Sequence, residues 1–366
     1  MKWYEIENID TIDSPALLIY KERVQENIRL LKKMKDVEHL RPHVKTNKIA
    51  EVCSMMLNEG ITKFKCATIA EAEMLAMINA PDVLLAYQLV GPKVNRLLQL
   101  VRTYPSTRFS CVVDDYNAAK NISEIFSSND LILNVYIDLN VGMNRTGVEP
   151  TEKALKLFHD CNKLKGLIIV GLHIYDGHIR DTNVGVRKQR TDEAFESAIN
   201  LAKQIQGLEQ KGLQIVAGGS PTFPIHAQRE SIECSPGTFV FWDWGYKNSL
   251  PDEPFDYAAV IISRVISVVD ENTLCTDLGH KSVAAENPLP RVHFLNAPDA
   301  TPIGQSEEHL VLKVEDTSLH KVGEVLYGVP VHICPTVALY EKAFVIETNK
   351  VVDEWRVVAR DRKINV

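Results

Sequence analysis

The chain has 366 residues, of which 45% are hydrophobic, enough for one large domain and a second, smaller one. Its 41 Lys and Arg against 48 Asp and Glu give a formal charge of -7, and no basic block disturbs this balance, so a nucleic-acid partner is not expected. The N-terminal segment "MKWYEIENID" lacks the apolar core of a signal peptide, and no apolar run is long enough to span a bilayer. We therefore expect neither secretion nor membrane insertion.

The seven cysteines are scattered and form no CxxC pair. An odd number of dispersed cysteines is poor material for a disulfide framework, which indicates a reducing compartment. We expect a cytoplasmic protein.

From residue 16 to about residue 220, short apolar runs alternate with amphipathic helical patterns. The runs that predict strands are 16–20, 39–45, 61–67, 82–87, 108–113, 131–138, 167–175 and 213–219. Helix starts are marked by a capping-box pattern at Thr68 and Glu71 and by the pair Gly91-Pro92. Eight strands alternating with helices favour a closed (β/α)8, TIM-like barrel over an open parallel sheet.

After about residue 240 the pattern changes to strand-like runs separated by turns, without a convincing long helix. This predicts a C-terminal antiparallel β domain. We place the barrel at residues 13–240 and the β domain at residues 241–366. Residues 1–12 are expected to join the β domain, with "KWYEI" pairing into it.

Unusual residues lie at or just after the ends of the predicted barrel strands, where barrel enzymes carry their chemistry. They are Lys45; Asn140, Gly142, Asn144 and Arg145; His173, Tyr175, Asp176 and His178; and Gly218, Gly219 and Ser220. Each has an ordinary reading, such as a surface lysine, a loop ion pair or a tight glycine turn. Together they supply an amine nucleophile, a guanidinium and a glycine-rich cradle whose N–H groups suit a phosphate.

An amine that can form an imine, next to a phosphate cradle, is what pyridoxal 5'-phosphate requires. A lysine desolvated at a strand end loses its charge more easily and becomes nucleophilic. This explains why Lys45 would be placed at the end of a barrel strand.

His332 and Cys334 stand two residues apart in "VPVHICPT", a strand-like run in which both side chains would share one face. Imidazole and thiolate are good ligands for zinc. The ordinary alternative is a core cysteine beside a buried histidine. Two ligands do not close a structural tetrahedral site, so a metal held here would keep open positions for water or substrate.

Seven segments follow one another in a characteristic order: "DSPALLIYKERVQENI", "RPHVKTNK", "CATIAEAEMLA", "AYQLVGPKV", "IDLNVGMNRTGV", "ECSPGTFVFWD" and "PVHICPTV". Over nearly the whole chain they resemble the D-threonine aldolase and D-serine dehydratase family of alanine-racemase-like, fold type III pyridoxal-phosphate enzymes. The resemblance implies a cofactor-carrying barrel, a C-terminal β domain with the metal ligands, and a homodimer with active sites near the subunit interface.

The resemblance also implies roles for individual residues. Lys45 matches the lysine that binds the cofactor covalently, Arg145 matches the arginine at the cofactor's 3' oxygen, and Tyr175 matches a cofactor-contacting tyrosine. The phosphate loops correspond to Gly218, Gly219, Ser220, Gly237 and Thr238. His332 and Cys334 match the ligands of a divalent metal, Zn²⁺ or Mn²⁺ with Mg²⁺ as a further choice, which in the family lies beside the substrate's β-hydroxyl.

Three positions depart from the family pattern. Asn47 replaces a frequent histidine, and Asp181 stands where aldolases carry the histidine that deprotonates the β-hydroxyl, with His178 nearby. His178 and Asp181 are therefore both candidate catalytic residues. The His-x-Cys pair looks more like the dehydratases, because some aldolases carry His-x-Asp.

The predicted function is a lyase for D-configured β-hydroxy amino acids, a D-threonine aldolase that gives glycine and an aldehyde. The alternatives are a D-serine or D-3-hydroxyaspartate dehydratase, and then an amino-acid racemase with Tyr327 opposite Lys45. Two readings from other classes are a pyridoxal-phosphate carrier, typically a lone barrel, and a cofactor-free, metal-dependent hydrolase using His173 and His178.

Overall fold

The computed structural model describes residues 1–209 and 212–366. It divides into two compact units, which we call the barrel unit and the sheet unit. The barrel unit comprises Lys32–Lys45, Cys53–Gly237 and Asp361–Val366, and the sheet unit comprises Met1–Leu31, Thr46–Val52 and Thr238–Arg360.

Within the described residues the strands are β1 (Ala16–Tyr20), β2 (Lys63–Cys66), β3 (Asp82–Leu85), β4 (Arg108–Val113), β5 (Leu133–Leu139), β6 (Leu167–Ile174), β7 (Gln214–Ala217), β8 (Ile232–Cys234), β9 (Ala259–Asp270), β10 (Thr273–Thr276), β11 (Val292–Phe294), β12 (Thr301–Gln305), β13 (Leu310–Lys313), β14 (Val325–Pro330), β15 (Lys342–Glu347) and β16 (Lys350–Arg356). The α-helices there are α1 (Lys21–Met34), α2 (Ala50–Asn58), α3 (Ile69–Met77), α4 (Pro92–Thr103), α5 (Tyr116–Ser127), α6 (Glu152–Cys161), α7 (Val184–Glu209), α8 (Phe223–His226), α9 (Trp244–Ser249) and α10 (Ile333–Val337). None of these helices is both long and apolar enough to cross a membrane.

The barrel unit is built on a parallel sheet in which β2 to β8 follow one another in chain order. Leu40 forms a parallel bridge to Cys234 in β8, and His43 forms one to Lys65 in β2. Residues 40–43 thus join the two edge strands and close the sheet. The predicted TIM-like (β/α)8 barrel is confirmed.

Local sequence explains where the barrel helices begin. Thr68 caps α3 by accepting a hydrogen bond from the Glu71 N–H at 3.1 Å, and the Glu71 carboxylate accepts one from the Ala67 N–H at 2.6 Å. Pro92 is the first residue of α4, where its missing N–H costs no helical hydrogen bond. The predicted helix start at Thr68 is confirmed, and the Glu71 carboxylate bonds the N–H of Ala67, one residue before the cap.

Two strand predictions need correction. We expected residues 16–20 to be the first barrel strand, but β1 pairs with β9 and β15 of the other sheet. All five residues of β1 are buried, so β1 carries the continuous apolar pattern of an interior barrel strand although it lies elsewhere. The eighth barrel strand is β8, which at three residues is too short to recognise by its pattern.

The expected strand 39–45 is reduced to the two bridges at Leu40 and His43. Pro42 lies between them and has no N–H to donate to a ladder. The chain turns directly after His43, and Lys45 stands in this turn at the carboxyl end of the barrel.

The sheet unit contains a mainly antiparallel sheet in the order β12-β13-β10-β9-β1-β15-β16, with β14 paired to both β9 and β11. The predicted antiparallel β architecture is confirmed, and α9 and α10 are only six and five residues long. The N-terminal segment forms no strand, contrary to our expectation for "KWYEI". It is held by the burial of Tyr4 and Ile6 in a hydrophobic cluster of the sheet unit and by a hydrogen bond from the Tyr4 hydroxyl to the Leu295 carbonyl at 3.1 Å.

The compact units do not divide the chain at the expected positions. Residues 13–31 cluster with the sheet unit, and the chain passes into that unit at Thr238. The assignment of domains at 13–240 and 241–366 stays a prediction.

Candidate active site

The ring of Tyr175 is the centre of a group of polar residues at the carboxyl end of the barrel strands. Tyr175 directly follows β6. The Lys45 amine lies 5.8 Å and the Arg145 guanidinium 5.0 Å from the centroid of its ring. A Cβ at Gly219 would lie 3.0 Å from the Tyr175 ring, so the backbone after β7 also packs against it. Four predicted site residues are therefore brought together: Lys45 in its turn, Arg145 after β5, Tyr175 after β6 and Gly219 after β7.

The loop after β5 carries Arg145 and is organised by Asn140. The Asn140 side-chain oxygen accepts hydrogen bonds from the N–H groups of Gly142 at 3.1 Å and Asn144 at 3.0 Å. Asn144 has a positive φ of 52°, a conformation that asparagine adopts more readily than most residues. Asn140, Gly142 and Asn144 thus shape the turn that presents the Arg145 side chain.

The loops after β7 and β8 form a cradle without bulky side chains. Gly218 has a φ of +78°, and a Cβ there would lie 2.7 Å from the His226 ring. The Gly237 N–H points to the Ser220 hydroxyl oxygen at 3.3 Å, which links the two loops. Glycines and small hydroxyl residues at the ends of parallel strands suit a phosphate, so this set of residues fits the phosphate group of pyridoxal phosphate.

A buried carboxylate supports this cradle from behind. Asp176 accepts hydrogen bonds from the Thr222 hydroxyl at 2.7 Å and from the His226 imidazole at 2.8 Å. Burial raises the pKa of Asp176, but His226 and Thr222 outweigh it and hold that pKa below its ordinary value. The carboxylate therefore stays ionised and fixes the His226 ring under Gly218.

Lys65 was not among the predicted site residues, and it lies inside the barrel on β2. Its amine is 3.5 Å from His173 Nε2, and His173 Nδ1 is 2.7 Å from an Asp138 carboxylate oxygen. Burial and the nearby charge of Lys45 lower the pKa of Lys65 to about 7. One signal was available in "KFKC": Lys63 and Lys65 share one face of the strand and Phe64 and Cys66 the other, which places polar residues on the inner face of the barrel.

The two candidate bases differ in their surroundings. His178 Nδ1 is buried without a hydrogen-bond partner in the part of the chain that the structure describes. A Cβ at Gly142 would lie 2.8 Å from His178 Nε2, so the ring packs against the loop of Arg145. Asp181, in contrast, forms a two-oxygen ion pair with Arg190 at 2.8 and 2.9 Å. Because that pair engages both carboxylate oxygens, His178 is the better placed of the two, and the catalytic assignments of both stay predictions.

The predicted metal pair lies in the sheet unit, but not on a strand. β14 ends at Pro330, His332 precedes α10, and Cys334 lies in the first turn of that helix. The Ile333 N–H donates to the Asp243 carboxylate at 3.1 Å and the Thr336 hydroxyl donates to the His332 carbonyl at 2.8 Å, which fixes the helical turn. Our placement of both side chains on one strand face was wrong.

The two side chains still meet. His332 and Cys334 are joined by a side-chain hydrogen bond, and Cys334 Sγ is 3.1 Å from the Thr46 hydroxyl and 3.5 Å from the Thr238 hydroxyl. Thr238, predicted to bind the cofactor phosphate, is thus also a neighbour of the thiol. Burial lowers the pKa of His332, but Cys334 and Glu286 outweigh it and raise the pKa to about 9.

This pair fits a metal with open coordination positions. His332 Nδ1 is 2.5 Å from the Glu286 carboxylate, which orients the ring and leaves Nε2 to bind a cation. Among the residues that the structure describes, no cluster of three or more His, Cys, Asp or Glu could hold a metal ion. An imidazole and a thiolate are suitable zinc donors, and two donors leave coordination positions open.

Tyr327, the racemase candidate, belongs to the core of the sheet unit. It is 6% exposed, and its ring centroid is 5.2 Å from that of Tyr4. Burial raises the pKa of Tyr327. A buried core tyrosine with a raised pKa is a poor acid–base group at neutral pH.

A closed parallel barrel with a lysine, an arginine and a glycine cradle at its carboxyl end defines a protein of the alanine-racemase type. The family model of the alanine racemase N-terminal domain matches residues 19–243, more than half of the chain, and the chain belongs to this family. A D-serine dehydratase domain model matches residues 258–346.

Curated relatives and solved structures agree with this assignment. The chain is 26% identical to a D-threonine aldolase of Arthrobacter sp over 95% of its own length and 93% of that protein. It is 23% identical to the D-threo-3-hydroxyaspartate dehydratase of Delftia sp., with 94% and 97% covered. The solved D-threonine aldolase of Filomicrobium marinum is 25% identical and superposes with a TM-score of 0.89 over 97% of this chain and 98% of that one.

Proposed function

We propose that this protein is a pyridoxal-phosphate- and divalent-metal-dependent lyase that cleaves D-β-hydroxy amino acids, a D-threonine aldolase giving glycine and an aldehyde. One observation carries the proposal: Lys45, Arg145 and the Gly219 backbone meet at the Tyr175 ring. Full-length similarity to a D-threonine aldolase supports the choice of reaction.

The cofactor is assigned to residues of the barrel unit. Lys45 supplies the amine for its covalent attachment, and Gly218, Gly219, Ser220 and Gly237 supply the cradle for its phosphate. The Arg145 guanidinium, held over the Tyr175 ring, supplies positive charge. Thr238 directly follows Gly237 in the sequence, and its hydroxyl is assigned to the same phosphate.

The metal is assigned to His332 Nε2 and Cys334 Sγ. Glu286 holds the opposite ring nitrogen of His332, which fixes the direction in which Nε2 points. Zn²⁺ suits a nitrogen and sulfur donor pair, and Mn²⁺ and Mg²⁺ are the other ions to test.

The bound groups supply the chemistry that side chains lack, the cofactor as an electron sink and the metal as a Lewis acid for a hydroxyl oxygen. The chain supplies the rest. Arg145 and the ring of Tyr175 orient what lies next to Lys45. His178, with a buried and unpartnered Nδ1 among the described residues, is the base we assign to the proton of the substrate's β-hydroxyl.

Dehydration is the second candidate. It is favoured by the His-x-Cys ligand pair and by the similarity to the Delftia dehydratase. In this case the Lys45 amine would be the base that removes the α-proton. The pyridoxal-phosphate carrier reading is less favoured, because the chain continues beyond the barrel into a sheet unit that contains the metal pair.

Product analysis separates these candidates. Purified protein is incubated with pyridoxal phosphate and Zn²⁺ or Mn²⁺, separately with D-threonine, D-serine and D-3-hydroxyaspartate. Glycine with an aldehyde supports the aldolase, and ammonia with a 2-oxo acid supports the dehydratase. Racemised substrate alone would overturn both.

Matched variants test the residue assignments. Lys45→Ala should abolish turnover, whereas Lys93→Ala, which removes another lysine facing a tyrosine ring, should not. His332→Ala should lose metal-dependent activity, whereas His309→Ala removes an exposed histidine of the same unit and should keep it. Full activity in His332→Ala would contradict the metal assignment.

We also propose a cytoplasmic homodimer with a small D-amino acid as substrate. Size-exclusion chromatography with light scattering tests the oligomeric state. A single species at the monomer mass of 41.2 kDa would contradict the dimer.

A further inference from the structure

Lys65 is a buried lysine that the proposed function leaves without a role. It is 2% exposed and is directed into the barrel from β2. Transferring an ammonium group from water to a protein interior is costly unless it is closely paired with a carboxylate. The described contact of its amine is instead an imidazole nitrogen, His173 Nε2, at 3.5 Å.

The charges around Lys65 come from several elements of the barrel unit. Lys45 and Arg41 repel its positive charge, and Asp176 and Asp138 attract it. The Tyr175 ring centroid lies 5.8 Å from its amine, the same distance that separates this ring from the Lys45 amine. Lys45 and Lys65 therefore face the same aromatic ring.

The state of His173 follows from its two neighbours. Burial lowers the pKa of His173 and outweighs the opposing effect of Asp138, so the ring is neutral and carries one N–H. The Asp138 carboxylate, 2.7 Å from Nδ1, can only accept a hydrogen bond, so the proton resides on Nδ1. Nε2 must then accept, and the Lys65 amine is its donor in both of its protonation states.

We propose that Lys65 is a positioning residue of the cofactor site: its amine holds His173 in the tautomer bonded to Asp138, and its titratable positive charge acts across the barrel interior on the group bound at Lys45. The second half of this inference rests on the proposed function. Protonation of Lys65 takes a proton from solvent and adds one positive charge close to Lys45; deprotonation returns the proton to solvent.

The first experiment concerns the charge of Lys65 and uses the protein without added cofactor. A lysine whose pKa is lower in the folded than in the unfolded state binds fewer protons when folded, so the wild type gains stability as pH rises from about 7 towards 10. The Lys65→Met variant has no amine at this position, so it cannot gain stability in this way as pH rises. The melting temperature of the variant minus that of the wild type should therefore fall by about 5 °C over this range.

Lys63→Met is the matched control. Lys63 lies on the same strand, but its amine is bound to the Glu233 carboxylate at 2.5 Å. The melting temperature of Lys63→Met minus that of the wild type should not fall between pH 7 and pH 10. A pH-independent difference for Lys65→Met would overturn the assignment of a titrating buried amine.

The second experiment reads the cofactor site by spectroscopy rather than by turnover. The visible absorbance of bound pyridoxal phosphate is titrated with pH in the wild type, Lys65→Met, Lys65→Gln and Lys63→Met. Removing a positive charge near a protonated group raises the apparent pKa of that group, so both Lys65 variants should move the midpoint upwards by about one unit. Lys63→Met should leave it unchanged.

The outcomes distinguish this inference from the proposed function. A wild type that binds pyridoxal phosphate, with the same titration midpoint in both Lys65 variants, would overturn the inference and leave the function intact. A wild type that does not bind pyridoxal phosphate would overturn the function and the cofactor half of the inference. The melting experiment would then still decide whether Lys65 titrates inside the barrel.

Discussion

Gly218 shows how one residue can determine the shape of the candidate phosphate cradle. Its φ of +78° is readily adopted by glycine alone, and the His226 ring occupies the space that a side chain would need. His226 does not move easily, because its Nε2 is bonded to the buried Asp176 carboxylate and its Nδ1 to Arg229. The glycine is thus required by both backbone conformation and packing.

We therefore expect Gly218→Ala to destabilise the protein by about 1–3 kcal/mol and to weaken binding of pyridoxal phosphate. Urea unfolding and equilibrium dialysis measure the two effects. Gly207→Ala is the control, since Gly207 lies on exposed helix with no atom within 4 Å of an added Cβ. Equal cofactor affinity in Gly218→Ala and the wild type would argue against the cradle.

Residues of the candidate site could be predicted from the sequence where their local pattern is distinctive. Lys45, Arg145, Tyr175 and the glycine loop were predictable because each follows a strand and stands out in an apolar context. Lys65 carried only the weaker signal of a lysine that alternates with apolar residues in "KFKC", and its contact with His173, 108 residues away in the chain, forms only when the barrel closes.

Among the secondary-structure elements, α3 begins directly after Thr68, the residue that the sequence predicts as its cap. The Thr68 hydroxyl satisfies the Glu71 N–H, which the first turn leaves without a helical partner, and the Glu71 carboxylate accepts from the Ala67 N–H just before the cap. Because this signal is local, it could be interpreted without knowledge of the fold.

We expect Thr68→Ala to lower the free energy of unfolding by about 1 kcal/mol, because the Glu71 N–H loses its acceptor. Thr103→Ala is the control, as the Thr103 hydroxyl only donates to a carbonyl within α4 and is exposed. Urea denaturation compares the three proteins. A stability of Thr68→Ala within error of the wild type would show that the cap does not stabilise α3.

Other elements could not be predicted because their partners are distant in the sequence. β1 has the composition of a barrel strand, and only its pairing with β9 and β15 shows that it belongs to the sheet unit. Likewise, His332 and Cys334 continue the apolar pattern of β14, but the Asp243 carboxylate at the Ile333 N–H starts a helix there. Long-range hydrogen bonds decided both cases.

At the scale of the whole molecule, the fold class was predictable because alternating strands and helices recur many times along the chain. Its stability, however, also depends on buried charges that no local pattern reveals. Arg41 is fully buried and binds Asp82 at 2.5 Å and Glu233 at 2.6 Å. This network lies at the amino ends of the barrel strands, away from the strand ends that carry the candidate site.

These ion pairs predict acid sensitivity. Burial raises the pKa of Asp82, but Arg41 and Arg108 outweigh it, so the pKa lies below its ordinary value; Asp138 is likewise lowered by His173. A carboxyl group with a lower pKa in the folded state stabilises the fold above about pH 4, and this stabilisation is lost as pH falls further. The free energy of unfolding should therefore decrease steeply below about pH 4.

Urea unfolding at a series of pH values from 7 to 3 tests this expectation. Asp82→Asn should lose about 3–5 kcal/mol at pH 7, because Arg41 is left buried without this partner, and should show a shallower pH dependence. Asp299→Asn, at an exposed loop position, should match the wild type. Equal stability of the wild type at pH 3 and pH 7 would contradict the account.

Lys45 is proposed to hold pyridoxal phosphate at the carboxyl end of the barrel. Borohydride reduction of the cofactor-loaded protein, followed by peptide mass spectrometry, tests it most directly, since reduction makes the linkage between lysine and cofactor permanent. We predict a phosphopyridoxyl group on Lys45 and none on Lys65, the second lysine facing the Tyr175 ring. Labelling of Lys65 instead, or no labelled lysine at all, would contradict the account.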